Sequence, residues 1–329
     1  MKKIALSRRA FSLGLGASAV ALPFGSFAQG SDWPTRPVRL VAPAPAGGSL
    51  DRLARTLGDE YAKALGQPFI VDNRPGAGST IGTNAVVAAP ADGYTLLMSG
   101  VFNVISPSLY ARLPYDYLKD FVHVAPTVAG SNVLVVRPDF PANTLAELVR
   151  QAKAAPDTLA YASAGSGTSG HLTMELFQRV AGIQLMHVPY KGAAPAMTDV
   201  LGGIAPMIAT NQDAVLPFLR SGKLKALAIT TAQRIPAMAE VPTFAESGFA
   251  DMVVSSWGAV AVRRATPSTI VERLRATTHN VLREASVRKP LEADGWELMD
   301  MPPADLEAFA RKETARWAQV IKAAGIQLG

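Results

Sequence analysis

The chain has 329 residues, with 32 Lys and Arg against 26 Asp and Glu, four histidines and no cysteine. The lack of cysteine excludes disulfides, thiolate metal sites and cysteine nucleophiles, and His123, His171, His187 and His279 are too scattered for a zinc motif, so no metal is expected. The formal charge of +6 overstates any basic character: Lys2, Lys3, Arg8 and Arg9 fall in an acid-free leader, and from residue 29 onward 28 bases face 26 acids, a net +2 with no run of five like charges, which excludes a nucleic-acid or membrane-surface binder.

Ser7-Arg8-Arg9-Ala10-Phe11-Ser12-Leu13 has the form of a twin-arginine export signature. An uncharged run, Gly14 to Phe27, follows it, and Ser26-Phe27-Ala28 supplies the small residues a signal peptidase reads. The run is shorter than the roughly 20 residues of a bilayer span, and no later segment approaches 18 consecutive apolar residues. Residues 1–28 are expected to be a cleaved signal peptide, the cut falling after Ala28, and the mature chain is expected to be periplasmic with no membrane insertion.

Val38 to Ala42 reads as a first strand and leads through a Pro/Ala/Gly turn into a helix with Leu53, Leu57 and Tyr61 on one stripe. Ser49 is its expected N-cap, Asp51 lies in the first turn, and Gly66 ends it. Pro68 to Val71 reads as a second strand, Ser79 to Ala88 as a helix, and Tyr94 to Met98 as a third strand. From Phe121 to Arg137 two apolar runs flank Pro126 and Gly130, and the chain is expected to cross here into a second lobe. Thr144 and Glu147 predict a capping box, and strand-helix alternation resumes from Leu159 to Thr230. A return near Asp251 to Val262 leads to a helix with Thr266 as N-cap and Pro267 first, then a closing helix from about Pro303 to Ala324. The expected fold is α/β with two lobes, residues 29–128 with 254–329 and residues 129–253, joined by a hinge of two crossing segments.

Two loops carry the chemistry. Pro43 to Asp51 contains the paired Gly47 and Gly48 and opens onto a helix start, whose unpaired N–H groups and positive dipole end suit an anion; the alternative is a plain tight turn capped by Ser49. Ala162 to His171 has the same position in the second lobe and adds hydroxyls that can donate to a carboxylate. His171 is either a ligand donor or a helix-terminus residue satisfied by its neighbours. Gly165, Gly167 and Gly170 spell G-x-G-x-x-G, yet His187-Val188-Pro189-Tyr190-Lys191 offers no acidic residue for a ribose, which argues against a dinucleotide. Asn73 to Ser79 is a third glycine-rich loop, lining the cleft or only turning the chain. There is no G-x-S-x-G elbow, and no histidine has a neighbour that nominates a nucleophile, so no catalytic residue is assigned. Trp257, Trp296 and Trp317 are expected to pack in the core or hinge.

The chain resembles the Bug-type receptors of tripartite tricarboxylate transporters over essentially its whole mature length. Pro37-Val38-Arg39-Leu40-Val41, Pro45-Ala46-Gly47-Gly48 with Asp51, Gly66-Gln67-Pro68, Pro75-Gly76-Ala77-Gly78, Asp92-Gly93-Tyr94-Thr95, Tyr161-Ala162-Ser163, Gly167-Thr168 with His171 and Val188-Pro189-Tyr190-Lys191-Gly192 carry the resemblance. It implies a two-lobed periplasmic binding-protein fold of type II that closes on a small carboxylate and delivers it to a membrane permease, as a monomer, without cofactor or catalysis. The ligand residues it implies are Ala46, Gly47, Gly48, Ser49 and Asp51, facing Ala164, Ser166, Gly167, Thr168 and Ser169, with His171 and Asn211 added. Ala44 stands where the family usually has an aromatic, and Leu50 where a small polar residue is common. Both changes point to a ligand with an apolar or aromatic body. The competing class is an exported cofactor-dependent oxidoreductase, for which the chain offers neither clustered metal ligands nor a completed dinucleotide fingerprint.

Overall fold

A computed structural model describes residues 33–327. The expected export segment, with its cleavage after Ala28, lies outside the described residues. Strand β1 (Val38–Ala42) is buried along nearly its whole length, as befits a strand inside a parallel sheet, and β2 (Phe69–Asn73) and β3 (Thr95–Gly100) flank it, both parallel. Helix α1 (Ser49–Leu65) buries Leu53, Leu57 and Tyr61 against this sheet and ends at Gly66, which takes the left-handed conformation at φ 74°. Its N-cap is Gly48, not Ser49. Ser49 is the first helical residue, and its hydroxyl is drawn away to a partner described below. A single 3-10 turn at Ala77–Ser79 precedes α2 (Thr80–Val87), so the expected helix from Ser79 begins one residue later. Helix α3 (Val101–Leu109) and the short α4 (Tyr117–Asp120) follow β3.

The stretch read as two apolar runs is one 16-residue strand, β4 (Phe121–Val136). Pro126 and Gly130 do not turn the chain. Pairing with β9 (Ser255–Arg263) slips between His123 and Ala125 and again between Pro126 and Ala129, so Pro126, opposite Ala259, sits in a short registered piece between two irregularities, where a residue without an N–H is tolerated. The far end of β4, Asn132–Val136, runs antiparallel to β7 (Met207–Asn211) on one side and β8 (Lys225–Ile229) on the other. Between them come α5 (Leu145–Ala154), β5 (Ala160–Ser163), α6 (Ser169–Ala181), β6 (Met186–Pro189), α7 (Ala193–Leu201) and α8 (Gln212–Arg220). At α5, Thr144 accepts the Glu147 N–H as expected, but the Glu147 carboxylate reaches back to the N–H of Asn143 instead of closing a box on Thr144. The chain finishes with α9 (Ser268–Arg283), α10 (Ala285–Ala293), β10 (Glu297–Leu298) and α11 (Pro303–Ala324). Pro267 is the N-cap of α9 and Thr266 lies one residue outside it.

The strand order is β2-β1-β3-β9-β4-β7-β5-β6, with β8 and β10 also paired to β4. Helices cover both faces. Around β1, Leu40 with Leu57 and Leu274 fills one side and Val41 with Leu97, Ile105 and Trp317 the other; around β7, Met207 with Phe177 and Phe244 fills one side and Ile208 with Val200 and Leu216 the other. The expected boundary at residues 128–129 falls inside β4, and that at 253–254 falls just before β9. Two sets of parallel strands, β2-β1-β3 and β6-β5-β7, therefore stand on either side of the long antiparallel β4 and β9. The loops leaving their carboxyl ends are where an α/β sheet places its ligands.

Candidate functional site

A cavity of about 730 Å³ opens among those loops. Six helices begin at its wall: α1 at Gly48 and Ser49, α2 at Ser79, α3 at Val101 and Phe102, α6 at Thr168 and Ser169, α7 at Gly192 and Ala193, and α8 at Asn211. Each start leaves backbone N–H groups without an intrahelical acceptor and presents a positive dipole end. No Asp or Glu lines the cavity, and its one charged lining residue is Lys191, which is exposed and has no ion pair among the described residues. These features favour an anion, and Leu50, Leu53, Phe102, Val128, Trp257 and Trp296 give the same cavity an apolar side.

Of the residues expected at the site, Gly48, Ser49, Ala164, Ser166, Gly167, Thr168, Ser169 and Asn211 line this one cavity, so the two loops do converge. Ala46, Gly47, Asp51 and His171 do not line it. Ala46 and Gly47 are exposed on the outer side of their loop. Asp51 is buried behind the loop, where its carboxylate accepts from the Gly47 N–H at 2.8 Å, from Asn73 Nδ2 at 2.9 Å and from Arg55. Burial pushes its carboxyl up, but Arg55, the Gly47 N–H and Asn73 outweigh that and hold it below the ordinary value. It shapes the loop. His171 does the same for the second loop: its Nδ1 accepts the Gly167 N–H at 3.1 Å, which leaves the ring proton on Nε2, and its ring stacks on His187 at 4.0 Å.

The hydroxyls are less free than their sequence positions suggest. Ser49 Oγ donates to Asp213 Oδ1 at 2.7 Å, Thr168 Oγ1 donates to the Gly165 carbonyl at 2.7 Å, and Ser169 Oγ donates to Asn132 Oδ1 at 3.1 Å. Each hydroxyl has one proton, so these three can only accept from a ligand or water. The Ser166 hydroxyl has no partner among the described residues and remains a donor, alongside the backbone N–H groups and Lys191.

The cavity has an aromatic side that no local sequence pattern signals. Trp257 and Trp296 are buried in the core, as expected of them, yet both also line the cavity, with Phe102, Tyr110 and Tyr190. The third glycine loop lines it too, through Pro75 to Ser79, with Ala77, Gly78 and Ser79 all at positive φ. The Tyr190-Lys191-Gly192 segment could have been found from the glycine preceding a helix, the same signal used for the first loop.

A family model described as the tripartite tricarboxylate transporter family receptor matches residues 53–326. The chain belongs to this receptor family. Protein BugT of Bordetella pertussis is 38% identical over 298 residues, which are 90% of this chain and 91% of that protein. Among solved structures, Rpa4515 of R. palustris with adipate superposes with a TM-score of 0.86 at 36% identity, covering 90% of this chain and all of that one. MatC from Rhodopseudomonas palustris with bound malate gives 0.83 at 31% identity, over 88% of this chain and all of that one. The receptor fold is α/β of the periplasmic solute-binding type, as in the periplasmic binding protein BugD, at 32% identity and a TM-score of 0.85. No helix among the described residues is long and apolar enough to cross a membrane.

Proposed function

We propose that this family member is a periplasmic receptor that binds a small organic carboxylate with an apolar or aromatic body and hands it to a membrane permease of the tripartite tricarboxylate type. The observation that carries the reading is the convergence of six helix starts, with no acidic side chain, on one cavity. Backbone donors hold a carboxylate without a deeply buried ion pair, which suits a ligand that has to leave. Adipate and malate in two related structures support the carboxylate class. Residues 29–128 with 254–329 act as one lobe and 129–253 as the other, β4 and the approach to β9 bend between them, and the ligand favours the closed form. The receptor works as a monomer, is exported by its twin-arginine leader, and performs no chemistry.

Ala44 lines the cavity and leaves room beside the apolar wall. Replacing it with Phe is expected to weaken phenylacetate about tenfold and to leave malate within about twofold, because only the bulky acid needs that space. Calorimetric titration of both acids into the wild type and Ala44→Phe checks this. Equal losses for the two acids would contradict the apolar-body reading, and a wild type that binds neither, nor any related acid, would contradict the receptor reading itself.

A further inference from the structure

Asp213 stands in the first turn of α8, with its side chain 2% exposed. It is buried beside the cavity without lining it, and the hydrogen bonds to its carboxylate come from residues far away in sequence. Ser49 Oγ donates to Oδ1 at 2.7 Å, and Arg52 Nη2 donates to Oδ2; both donors sit on the first turn of α1. Arg52 in turn donates through Nη1 to the Gly47 carbonyl at 2.9 Å. One carboxylate therefore holds three points of the β1–α1 loop and its helix start: the Ser49 hydroxyl, the Arg52 guanidinium and, through Arg52, the Gly47 peptide.

The contact runs from α1, beside β1 and β2, to α8, beside β7 and the far end of β4. In the strand order β2 and β1 stand at one end, and β4 and β7 lie beyond β3 and β9 from them. A carboxylate removed from water needs charged or hydrogen-bonding partners, and these are the ones it has. Moving α1 away from α8 would strip Asp213 of both at once. Its charge does not reach the anion seat as a repulsion, since Arg52 balances it and the helix start in which it lies favours a negative group.

We infer that Asp213 is a positioning residue for ligand retention: it ties Ser49 and Arg52 of α1 to the start of α8 and so keeps the first-strand loop over the cavity once the two sides have come together. The inference rests on the carboxylate-receptor reading. Asp213 touches no ligand; it acts through Ser49 and Arg52. A contact that forms after the ligand has entered slows its departure and leaves its arrival unchanged.

Stopped-flow fluorescence of Trp257 and Trp296, which line the cavity, can follow binding of hexanoate, benzoate, malate and adipate to the wild type, Asp213→Asn, Arg52→Gln, Arg52→Lys and the Asp213→Asn/Arg52→Gln pair. Asn at 213 still accepts from Ser49 but offers Arg52 no charge. For the acid that binds the wild type best, Asp213→Asn is expected to raise the dissociation rate constant about tenfold, with the association rate constant within about twofold and the ligand-free Tm within about 2 °C. Arg52→Gln is expected to match it, Arg52→Lys to recover part of the loss, and the double variant to be no worse than either single one. A dissociation rate within twofold of wild type overturns the inference while leaving the receptor reading intact. So does a ligand-free Tm lowered by many degrees, which would make the pair a support of the fold. A wild type that binds none of the acids removes both the receptor reading and this inference.

Discussion

Gly170→Ala is expected to cost about 3 kcal/mol of stability, at the upper end for an added methyl group, and to lower Tm by roughly 5 °C. Gly170 is in the first turn of α6, where the helix presses on β7. A Cβ built there would lie 2.0 Å from the Ala209 carbonyl oxygen and 2.9 Å from its carbon. Neither atom can move freely, because β7 is laddered to β4 on one side and to β5 on the other. Relief would require α6 to shift, and its start carries Thr168 and Ser169 to the cavity wall, so ligand affinity should fall with stability. Gly182→Ala is the control: Gly182 is left-handed at φ 62° with nothing within 4 Å of a built Cβ, so it should lose only the conformational cost of about 1 kcal/mol. Thermal unfolding of the two variants decides the matter, and equally mild losses would show that α6 and β7 are not in close contact.

Acid is expected to unfold the chain before pH 4 is reached. Burial lowers His123, His171 and His187 each to about 4 from an ordinary 6.5, and His171 adds a like charge beside His187. An unfolded chain takes up these protons near pH 6.5, whereas the native chain refuses them until about pH 4. The unfolded state therefore binds more protons through that window. Stability contributed by the neutral rings is complete above pH 6.5 and is lost as the pH falls toward 4, by an amount on the order of 3 kcal/mol each for the well-buried His123 and His171 and by less for the part-exposed His187, which water screens. Together they are a large share of the stability of a typical protein. Asp213, whose carboxyl is pushed up chiefly by burial, works in the opposite sense but is one group against three. The chemistry of loss is specific: a proton on His171 Nδ1 removes the acceptor of the Gly167 N–H, and two charged rings 4.0 Å apart repel. Among the described residues His123 has no hydrogen-bond partner for either ring nitrogen, so His123→Leu should weaken the acid dependence by about one proton without disturbing the second loop. A Tm that stays flat from pH 6.5 to 5 would contradict this account.

Much of the site was legible because its signals are local. A strand followed by Gly47-Gly48 and a helical stripe of Leu53, Leu57 and Tyr61 places a glycine loop at a helix start from adjacent residues alone, the loop of residues 162–171 repeats the pattern, and both loops contribute to one cavity. What escaped is non-local. Ser49 was read as a cap because hydroxyls cap helices, but its proton goes to Asp213, 164 positions away. Asp51 and His171 have the residue types of ligand contacts, yet neither lines the cavity, and they accept the Gly47 and Gly167 N–H groups. The apolar wall draws Leu50 and Leu53 from α1, Phe102 from α3, Val128 from β4, Trp257 from β9 and Trp296 from just before β10, and no period in the sequence links them. The fold was misread chiefly at β4, where Pro126 and Gly130 are turn residues by composition. Register slips in the β9 ladder let one strand absorb the proline, and that is a property of the partner strand, invisible in the segment itself.

If the cavity under six helix starts is a carboxylate seat, it should answer to carboxylates alone. A thermal-shift screen of the protein, unfolded to strip any carried ligand and then refolded, tests it most directly against mono-, di-, tri- and aromatic carboxylates, with matched alcohols, amides and amines. At about 100 times its dissociation constant a true ligand stabilises by roughly 2.7 kcal/mol and raises Tm by a few degrees. The expected shift is confined to carboxylates, largest for an acid with an apolar or aromatic body, and abolished when the same acid is supplied as its amide. A cleanly refolded protein that answers to no carboxylate, or equally to the uncharged amide, would contradict it.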